Sequence, residues 1–241
     1  MKKTNLILLI LISFQTFAEE PLFKQANEKY ASEKYSEAIS IYDSIISSGF
    51  ESSEIYYNRG NCYYKKEDWA NTIWNYERSL KLKRESNTLY NLELTKLKII
   101  DKIEPTPKLF YKTWWQNIIT LFTTKTWQIL TLICIWTTLI TQKINKAKKN
   151  KRYLLHFLNT TSLILLLISH SSYEENHNKS EAIIFSSSVI VNSAPTEKST
   201  NLFSLHSGTK IELIDEIGDW INIKLENGSN GWIKKSNCKT L

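Results

Sequence analysis

Residues 56–80 read YYNRGNCYYKKEDWANTIWNYERSL, and this stretch decides the fold of the N-terminal half. A shift of the sequence by 34 residues aligns it with residues 22–46 and places like residues on like. A fixed period of this length is typical of stacked helical hairpins, each too small to bury its own apolar face. Such stacks commonly hold another protein, so the repeat favours a binding surface over a catalytic centre. The aligned pairs are Ala26/Gly60, Asn27/Asn61, Tyr30/Tyr64, Tyr35/Trp69, Ile39/Ile73, Tyr42/Tyr76 and Ile46/Leu80.

The repeat predicts an all-α domain over residues 19–102, with repeats at about 19–52 and 53–86. Gly49 is expected to end the first hairpin as a helix stop, and Asp68 to cap the N-terminus of the fourth helix. A last helix is expected to cover the open end of the stack, because terminal repeats need a cap. The expected helices are 22–32, 35–47, 53–65, 69–83 and 88–100.

The pattern resembles the tetratricopeptide (TPR) repeat, in which small residues let the two helices of a hairpin touch. Gly60 and Thr72 hold the small positions of the second hairpin, and Trp69 and Tyr76 hold the aromatic ones. The resemblance implies a concave ligand-binding face lined by the first helix of each hairpin.

Side chains on that face suit peptide binding. An asparagine can bond both the N–H and the C=O of an extended peptide, and tyrosines add contact area at low entropy cost. The alternative is that these residues only satisfy the packing of the repeats. The candidate partner-binding residues are Asn27, Tyr30, Tyr57, Asn61, Tyr64 and Lys65.

Positive charge is concentrated beside apolar segments. The formal net charge is +7, but six basic residues lie in 143–152 and two more are Lys2 and Lys3, which leaves about −1 for the rest of the chain. A nucleic-acid-binding protein needs a basic face on a folded module instead. The distribution therefore indicates membrane topology and no nucleic-acid partner.

Residues 1–18 have the pattern of a secretory signal peptide. Lys2 and Lys3 form the charged start, Leu6–Ile12 the apolar core, and Thr16-Phe17-Ala18 a small-residue cleavage site. An uncleaved membrane anchor is the alternative.

Two apolar runs, at 118–142 and 153–173, are predicted to form a transmembrane α-hairpin in contact with lipid. The linker 103–117 precedes them, and its Trp114-Trp115 pair suits a membrane interface. The basic loop 143–152 is expected in the cytoplasm of a bacterium. Together with the export signal, this places the repeats and the C-terminus in the periplasm, anchored to the inner membrane. A soluble apolar hairpin is the alternative.

After a linker at 174–181, residues 182–241 switch to an alternating pattern with five short apolar runs separated by turn residues. Five short strands in this length predict a small all-β barrel. The order of the segments resembles bacterial SH3-type domains, and Trp220 and Trp232 are expected in its core or its binding groove.

Motifs for catalysis are missing from the sequence. There is no Gly-rich phosphate loop, no nucleophile motif and no metal-ligand spacing among the four histidines and three cysteines. The chain is therefore expected to be neither an enzyme nor a carrier of a cofactor or metal.

The order of signal peptide, two TPR units, hairpin and SH3-like barrel resembles the BatE-type proteins of the Bat (Bacteroides aerotolerance) operons. The motifs FxxANxxY, YYNxGNxYY and NYERSL fit that family. The resemblance implies an inner-membrane scaffold in aerotolerance and resistance to oxidative and envelope stress. The implied partners are von Willebrand A-domain membrane proteins and a MoxR-type ATPase. A peptidoglycan-binding envelope sensor acting through the SH3-like domain is the alternative.

Overall fold

The computed structural model describes residues 20–107, 109–144, 152–177 and 180–241. The described residues form two compact units, one of which joins residues 20–104 to Glu181–Leu241, while the other lies within Pro105–Ser180. The expected signal segment 1–18 and most of the basic loop 143–152 lie outside the described residues.

Five helices form the N-terminal region. Contacts between Phe23 and Tyr42, and between Tyr30 and Tyr35, show that the first two helices run antiparallel as a hairpin. The third and fourth helices form the second hairpin, and the fifth packs on the fourth. The helices are α1 (Glu20–Ala31), α2 (Tyr35–Ser47), α3 (Ser53–Lys65), α4 (Trp69–Leu82) and α5 (Ser86–Lys96).

Local capping chemistry sets the ends of these helices. The Asp68 carboxylate accepts the Asn71 N–H at 3.1 Å, which confirms the predicted N-cap of α4. Gly49 has a φ of +95° just after α2, as expected for a helix stop. Helix α5 ends at Lys96 rather than at the expected residue 100, because the Lys98 N–H turns back to the Thr95 carbonyl.

The backbone also obeys the 34-residue period. The two non-glycine residues with positive φ are Glu33 (60°) and Glu67 (57°) within the described residues, and each lies between the two helices of its hairpin. The helices of the second hairpin approach so closely that a Cβ atom on Gly60 would lie 2.7 Å from the Tyr76 ring. A larger residue at that position would therefore force the Tyr76 ring to shift.

The C-terminal region is an antiparallel sheet with strand order β3-β2-β6-β5-β4-β1-β7. One cluster of buried aliphatic side chains draws on six of the strands, so the sheet curls around a common core. Two of the strands, β3 and β7, are additional to the five expected runs. The strands are β1 (Glu181–Ile184), β2 (Ser188–Asn192), β3 (Asn201–His206), β4 (Lys210–Ile217), β5 (Trp220–Lys224), β6 (Asn230–Lys234) and β7 (Cys238–Thr240).

The second unit contains α6 (Phe110–Ile119), α7 (Thr124–Ile144) and α8 (Arg152–His177). Helices α7 and α8 are antiparallel, since Thr124 meets Ser172 at one end of the pair and Thr138 meets Ser162 further along.

The expected first span, 118–142, is not one helix, because the chain bends by 77° between α6 and α7. The Thr123 hydroxyl accepts the Thr126 N–H and so begins a new helix, while the Trp127 indole N–H donates to the Ile119 carbonyl at the end of α6. By length and apolarity, Tyr153–Glu175 is a candidate membrane-spanning helix, and the bent pair α6–α7 counts as a second only if it is taken as one span.

Candidate peptide-binding cleft

Aromatic contacts in the helical region repeat with the sequence period. The Phe23 and Tyr42 rings lie 6.1 Å apart, and their counterparts Tyr57 and Tyr76 lie 5.9 Å apart. A second pair repeats in the same way, since Tyr30–Tyr35 and Tyr64–Trp69 are both separated by 5.5 Å. The period therefore describes a repeated set of packed rings as well as repeated helices.

The predicted asparagines belong to a hydrogen-bond ladder between helices. The Asn27 side-chain oxygen accepts the Tyr42 hydroxyl at 2.6 Å and the Asn58 amide at 2.9 Å. One repeat later, the Asn61 oxygen accepts the Tyr76 hydroxyl at 2.7 Å and the Asn91 amide at 3.5 Å. The oxygens are thus used within the fold, and the two side-chain NH₂ groups make no hydrogen bond among the described residues. Each asparagine can offer a peptide its donors but not its acceptor.

Burial keeps the tyrosines of this region protonated. Burial is the largest cause that raises the pKa of Tyr30, Tyr42 and Tyr76 above the ordinary value of a phenol. Their hydroxyls are therefore hydrogen-bond donors at any physiological pH. For Tyr42 and Tyr76, this fixes the orientation of the asparagine amides that accept from them.

A cleft of about 180 Å³ opens beside this ladder. It brings together three of the predicted residues, Tyr30, Asn61 and Tyr64, and its lining in the described residues contains no carboxylate or ammonium group. Its hydroxyl and amide donors suit a ligand rich in carbonyl or carboxylate oxygens. The lining residues in the described part of the chain are Tyr30, Asn61, Tyr64, Tyr76, Asn91 and Leu94.

The other predicted residues lie around the cleft. Tyr57 accepts the Asn91 amide at 3.1 Å, and Asn27 holds the equivalent position in the first hairpin. Lys65 is exposed and does not line the cleft. The sequence interpretation gave Tyr76 only a packing role, and it missed Asn91 and Leu94. Extending the 34-residue period once more would have found both, because they follow Tyr57 and Gly60 by one repeat.

The helical region and the sheet share buried contacts within one unit. In β1, Ala182 and Ile184 enter the core of the sheet, while Ile183 enters the core formed by α4 and α5. The Trp74 indole N–H donates to the Thr240 carbonyl at 2.8 Å. These contacts bury both faces of β1 and make the two regions one folded body.

A buried cation crosses this interface. The Lys210 ammonium lies 2.9 Å from Glu77 and 3.1 Å from Glu181. Burial alone disfavours the charge, but the two carboxylates outweigh it and raise the pKa of Lys210. Removing the Lys210 ammonium would leave the buried Glu77 carboxylate without this charge partner in the interface.

Asp101 forms a second polar contact between the two regions. Its carboxylate accepts the His206 backbone N–H at 2.6 Å and the Thr209 hydroxyl at 2.5 Å, and lies 2.8 Å from His206 Nδ1. Burial opposes ionisation, yet the hydrogen bonds from Thr209 and His206 outweigh it and hold the pKa of Asp101 below its usual range.

Trp220 and Trp232 are both half-buried and lie on the outer face of the sheet, not in its core cluster. They alternate along β5 and β6 with the core residues Ile221 and Ile233. Trp232 lies opposite Asn192 on one neighbouring strand and opposite Asn222 on the other. The arrangement is an aromatic surface flanked by amides.

No group of three or more histidine, cysteine or acidic residues that could hold a metal occurs among the described residues. Burial raises the pKa of the Cys62 thiol to about 12, so this thiol is protonated and unreactive at neutral pH.

Comparison with known proteins identifies the C-terminal region. Residues 187–238 match the family described as Bacterial SH3 domain. The C-terminal sheet is a bacterial SH3 domain. This confirms the predicted class of the C-terminal fold, a bacterial SH3 domain that follows a helical N-terminal region.

Among curated proteins, none matches the chain. Among solved structures, the chain is similar to the type III secretion translocator chaperone SycD of Yersinia enterocolitica. The match has 13% identity and a TM-score of 0.34, and it covers 68% of this chain and 93% of that one.

Proposed function

We propose that this protein is a non-catalytic membrane scaffold of the BatE type, which holds a peptide segment of a partner protein in the cleft of its helical repeat. The observation that carries the proposal is that one folded unit, formed by the repeat and the SH3 domain, is interrupted in the chain by a helical hairpin with an apolar exterior. Such an arrangement suits a binding module tethered to a bilayer.

The hairpin has polar contacts inside and apolar side chains outside. Thr124 bonds Ser172, Thr138 bonds Ser162, and Cys134 lies between them in the helix interface. In the candidate span on α8, only 6% of the most apolar 18-residue stretch is buried. Helices in membranes associate through small and hydroxyl residues and expose large apolar ones to lipid. The outward-facing residues include Ile129, Ile133, Trp136, Ile140, Leu163, Ile164 and Leu167.

Chain connectivity supports two crossings instead of one. The described residues 20–104 and the residues from Glu181 pack into a single unit, so both must lie on the same side of any membrane. The segment between them can then cross only an even number of times. If α8 crosses, α7 must cross as well, and its 21 residues span about 31 Å at 1.5 Å per residue.

The positive-inside rule gives this hairpin an orientation. The lysine-rich sequence between α7 and α8 favours the cytoplasm, so the repeat and the SH3 domain would face the periplasm. Alkaline phosphatase fused after Asn150 should be inactive, and the same enzyme fused after Leu241 should be active. An active fusion at Asn150 would contradict the orientation.

The partner-binding role can be tested at the cleft. A photo-crosslinking amino acid replaces Leu94, which lines the cleft, or Leu82, which does not and is similarly exposed. In cells that carry the Bat proteins, Leu94 should crosslink a von Willebrand A-domain protein, and Asn61→Ala should weaken that crosslink severalfold. Equal crosslinking from both positions, or none from Leu94, would refute the proposal.

A second candidate function is peptidoglycan binding by the SH3 domain. The half-buried Trp220 and Trp232, with Asn222 opposite Trp232, favour it because aromatic rings and amides together suit saccharides and cell-wall peptides. The purified full chain should then sediment with sacculi, and Trp232→Ala should reduce sedimentation, whereas Trp69→Ala should not.

A further inference from the structure

Helix α6 has a three-part surface. Its polar residues Lys112, Thr113, Gln116 and Asn117 lie on one side, as the 100° turn per residue requires. The opposite side is apolar and is divided in two. One part faces the interior of the unit, and the other part is exposed.

The inner part of the apolar side is already occupied. Ile119 is buried in a cluster with Trp127 and Ile168, and Trp115 and Ile118 pack against the same cluster. These contacts hold α6 against α7 and α8 and fix its direction.

The outer part has no cover among the described residues. Phe110, Tyr111 and Trp114 expose half or more of their surface, and Trp114 is 62% exposed. Leu121 and Phe122, in the bend before α7, continue this apolar edge. Large aromatic residues next to a polar helix face are the composition of membrane-interface anchors.

Two observations place α6 at the level of a membrane surface. The helix meets α7 at 77°, so it lies nearly flat when α7 crosses the bilayer. The Gln116 amide donates to the Glu175 carboxylate at 3.0 Å, and Glu175 is the last residue of the candidate span on α8. The polar side of α6 therefore lies beside the charged end of that span.

We infer that α6 is an interfacial helix, whose exposed edge of Phe110, Tyr111 and Trp114 is buried in the lipid headgroup region while its polar side faces water. This inference rests on the proposed membrane hairpin and assigns the occupant of the exposed edge as lipid. It also replaces the continuous first span with a flat helix followed by a crossing helix. The apolar exterior of α7 continues directly from this edge.

Site-directed spin labelling of the full chain in liposomes tests the inference. The three native cysteines are replaced by alanine, and single cysteines carry the label along residues 110–119 and at Leu163 on α8. Collisions with oxygen and with a water-soluble nickel complex report depth. Labels at Phe110 and Trp114 should show oxygen collision severalfold above those at Lys112 and Thr113, at a shallow and similar depth. The nickel complex should prefer Thr113 and Asn117.

Each outcome decides a different point. Depth that increases by about 1.5 Å per residue along 110–119 would mean a continuous span and would overturn the inference. Strong nickel collision at both Phe110 and Trp114 would also overturn it, because the edge would then be wet. The label at Leu163 is the reference for the hairpin. If Leu163 is itself wet, the membrane hairpin fails and the inference fails with it.

Discussion

In the helical repeat, helices meet through aromatic and small apolar side chains such as Tyr76 against Gly60, and their outer faces are charged. In the hairpin of α7 and α8, helices meet through hydroxyl and thiol groups such as Thr138 and Cys134, and their outer faces are isoleucine, leucine and tryptophan. The repeat thus buries apolar groups between its helices, whereas the hairpin buries polar ones. Water makes apolar burial the driving force in the repeat. In the proposed membrane hairpin, lipid would give no such gain, and packing and polar contacts would hold the helices together.

The repeat should lose most stability when an inner ring is removed. Tyr76→Ala empties a site that is almost fully buried and should lower the free energy of unfolding of the repeat unit by about 3–5 kcal/mol. Thermal unfolding in detergent, followed by circular dichroism, measures the loss. The control is Tyr90→Ala, because Tyr90 is 65% exposed, and it should change the free energy by about 0.5 kcal/mol or less. Similar losses in both variants would contradict aromatic packing as the source of stability.

The same substitution at two similarly exposed sites compares the proposed lipid surroundings of the hairpin with the aqueous surroundings of the SH3 domain. Ile164 on α8 is 54% exposed and Ile214 on the SH3 domain is 52% exposed. If the proposed hairpin crosses the bilayer, Ile164→Arg should cost about 2.5–3.5 kcal/mol of membrane insertion, and the chain should be lost from the urea-washed membrane fraction. Ile214→Arg should stay in that fraction at the wild-type level, because its surroundings are water. Equal behaviour would mean that the hairpin does not cross a bilayer.

Two glycines distinguish the cost of backbone strain from the cost of a packing clash at the interface between the repeat and the SH3 domain. Gly208 and Gly228 have φ values of +93° and +88°, so alanine is strained at both. A Cβ on Gly208 would also lie 2.5 Å from Ile99, whereas nothing lies within 4 Å at Gly228. Gly208→Ala should therefore destabilise the unit by about 1–3 kcal/mol more than Gly228→Ala, as measured by denaturant unfolding.

A double variant tests whether the clash with Ile99 causes the extra loss of stability. Ile99→Ala removes the neighbour, so the extra loss caused by Gly208→Ala should shrink in the double variant. A loss that stays the same would mean that Ile99 is not its source.

The helical repeat could be predicted because its period fixes helix positions, caps and paired rings at once. Two features needed the structure. The oxygens of Asn27 and Asn61 are used by Tyr42 and Tyr76, and a sequence does not tell which atom of an amide a neighbour takes. The break after Ile119 depends on the Thr123 cap, a weak local signal inside a run that otherwise has the composition of a span.

The contact between the repeat and the SH3 domain is reflected in the sequence of β1. Ile183-Ile184-Phe185 is a run of three apolar residues in a domain where most strands alternate. A strand buried on both faces has such a continuous pattern, and β1 is buried in this way between two cores. The partners of its second face lie in α4 and α5, far away in the sequence, and no local pattern identifies them.

Substitution of Asp101 should have the smallest effect on the free energy of unfolding, and this effect should depend on pH. Because its folded pKa lies below the unfolded value, ionised Asp101 contributes stability above about pH 4, and this contribution is lost as the pH falls through the folded pKa. At pH 7, Asp101→Asn should lower the free energy of unfolding by about 1 kcal/mol, since it weakens hydrogen bonds from His206 and Thr209. The difference in the free energy of unfolding between wild type and Asp101→Asn should become smaller as the pH falls below about 4. The control is Asp215→Asn on the exposed face of β4, which should change the free energy of unfolding at pH 7 by about 0.5 kcal/mol or less. A difference that widens in acid would mean that the Asp101 carboxyl is protonated in the folded protein, and the contact would then hold the repeat to the SH3 domain as a neutral hydrogen bond.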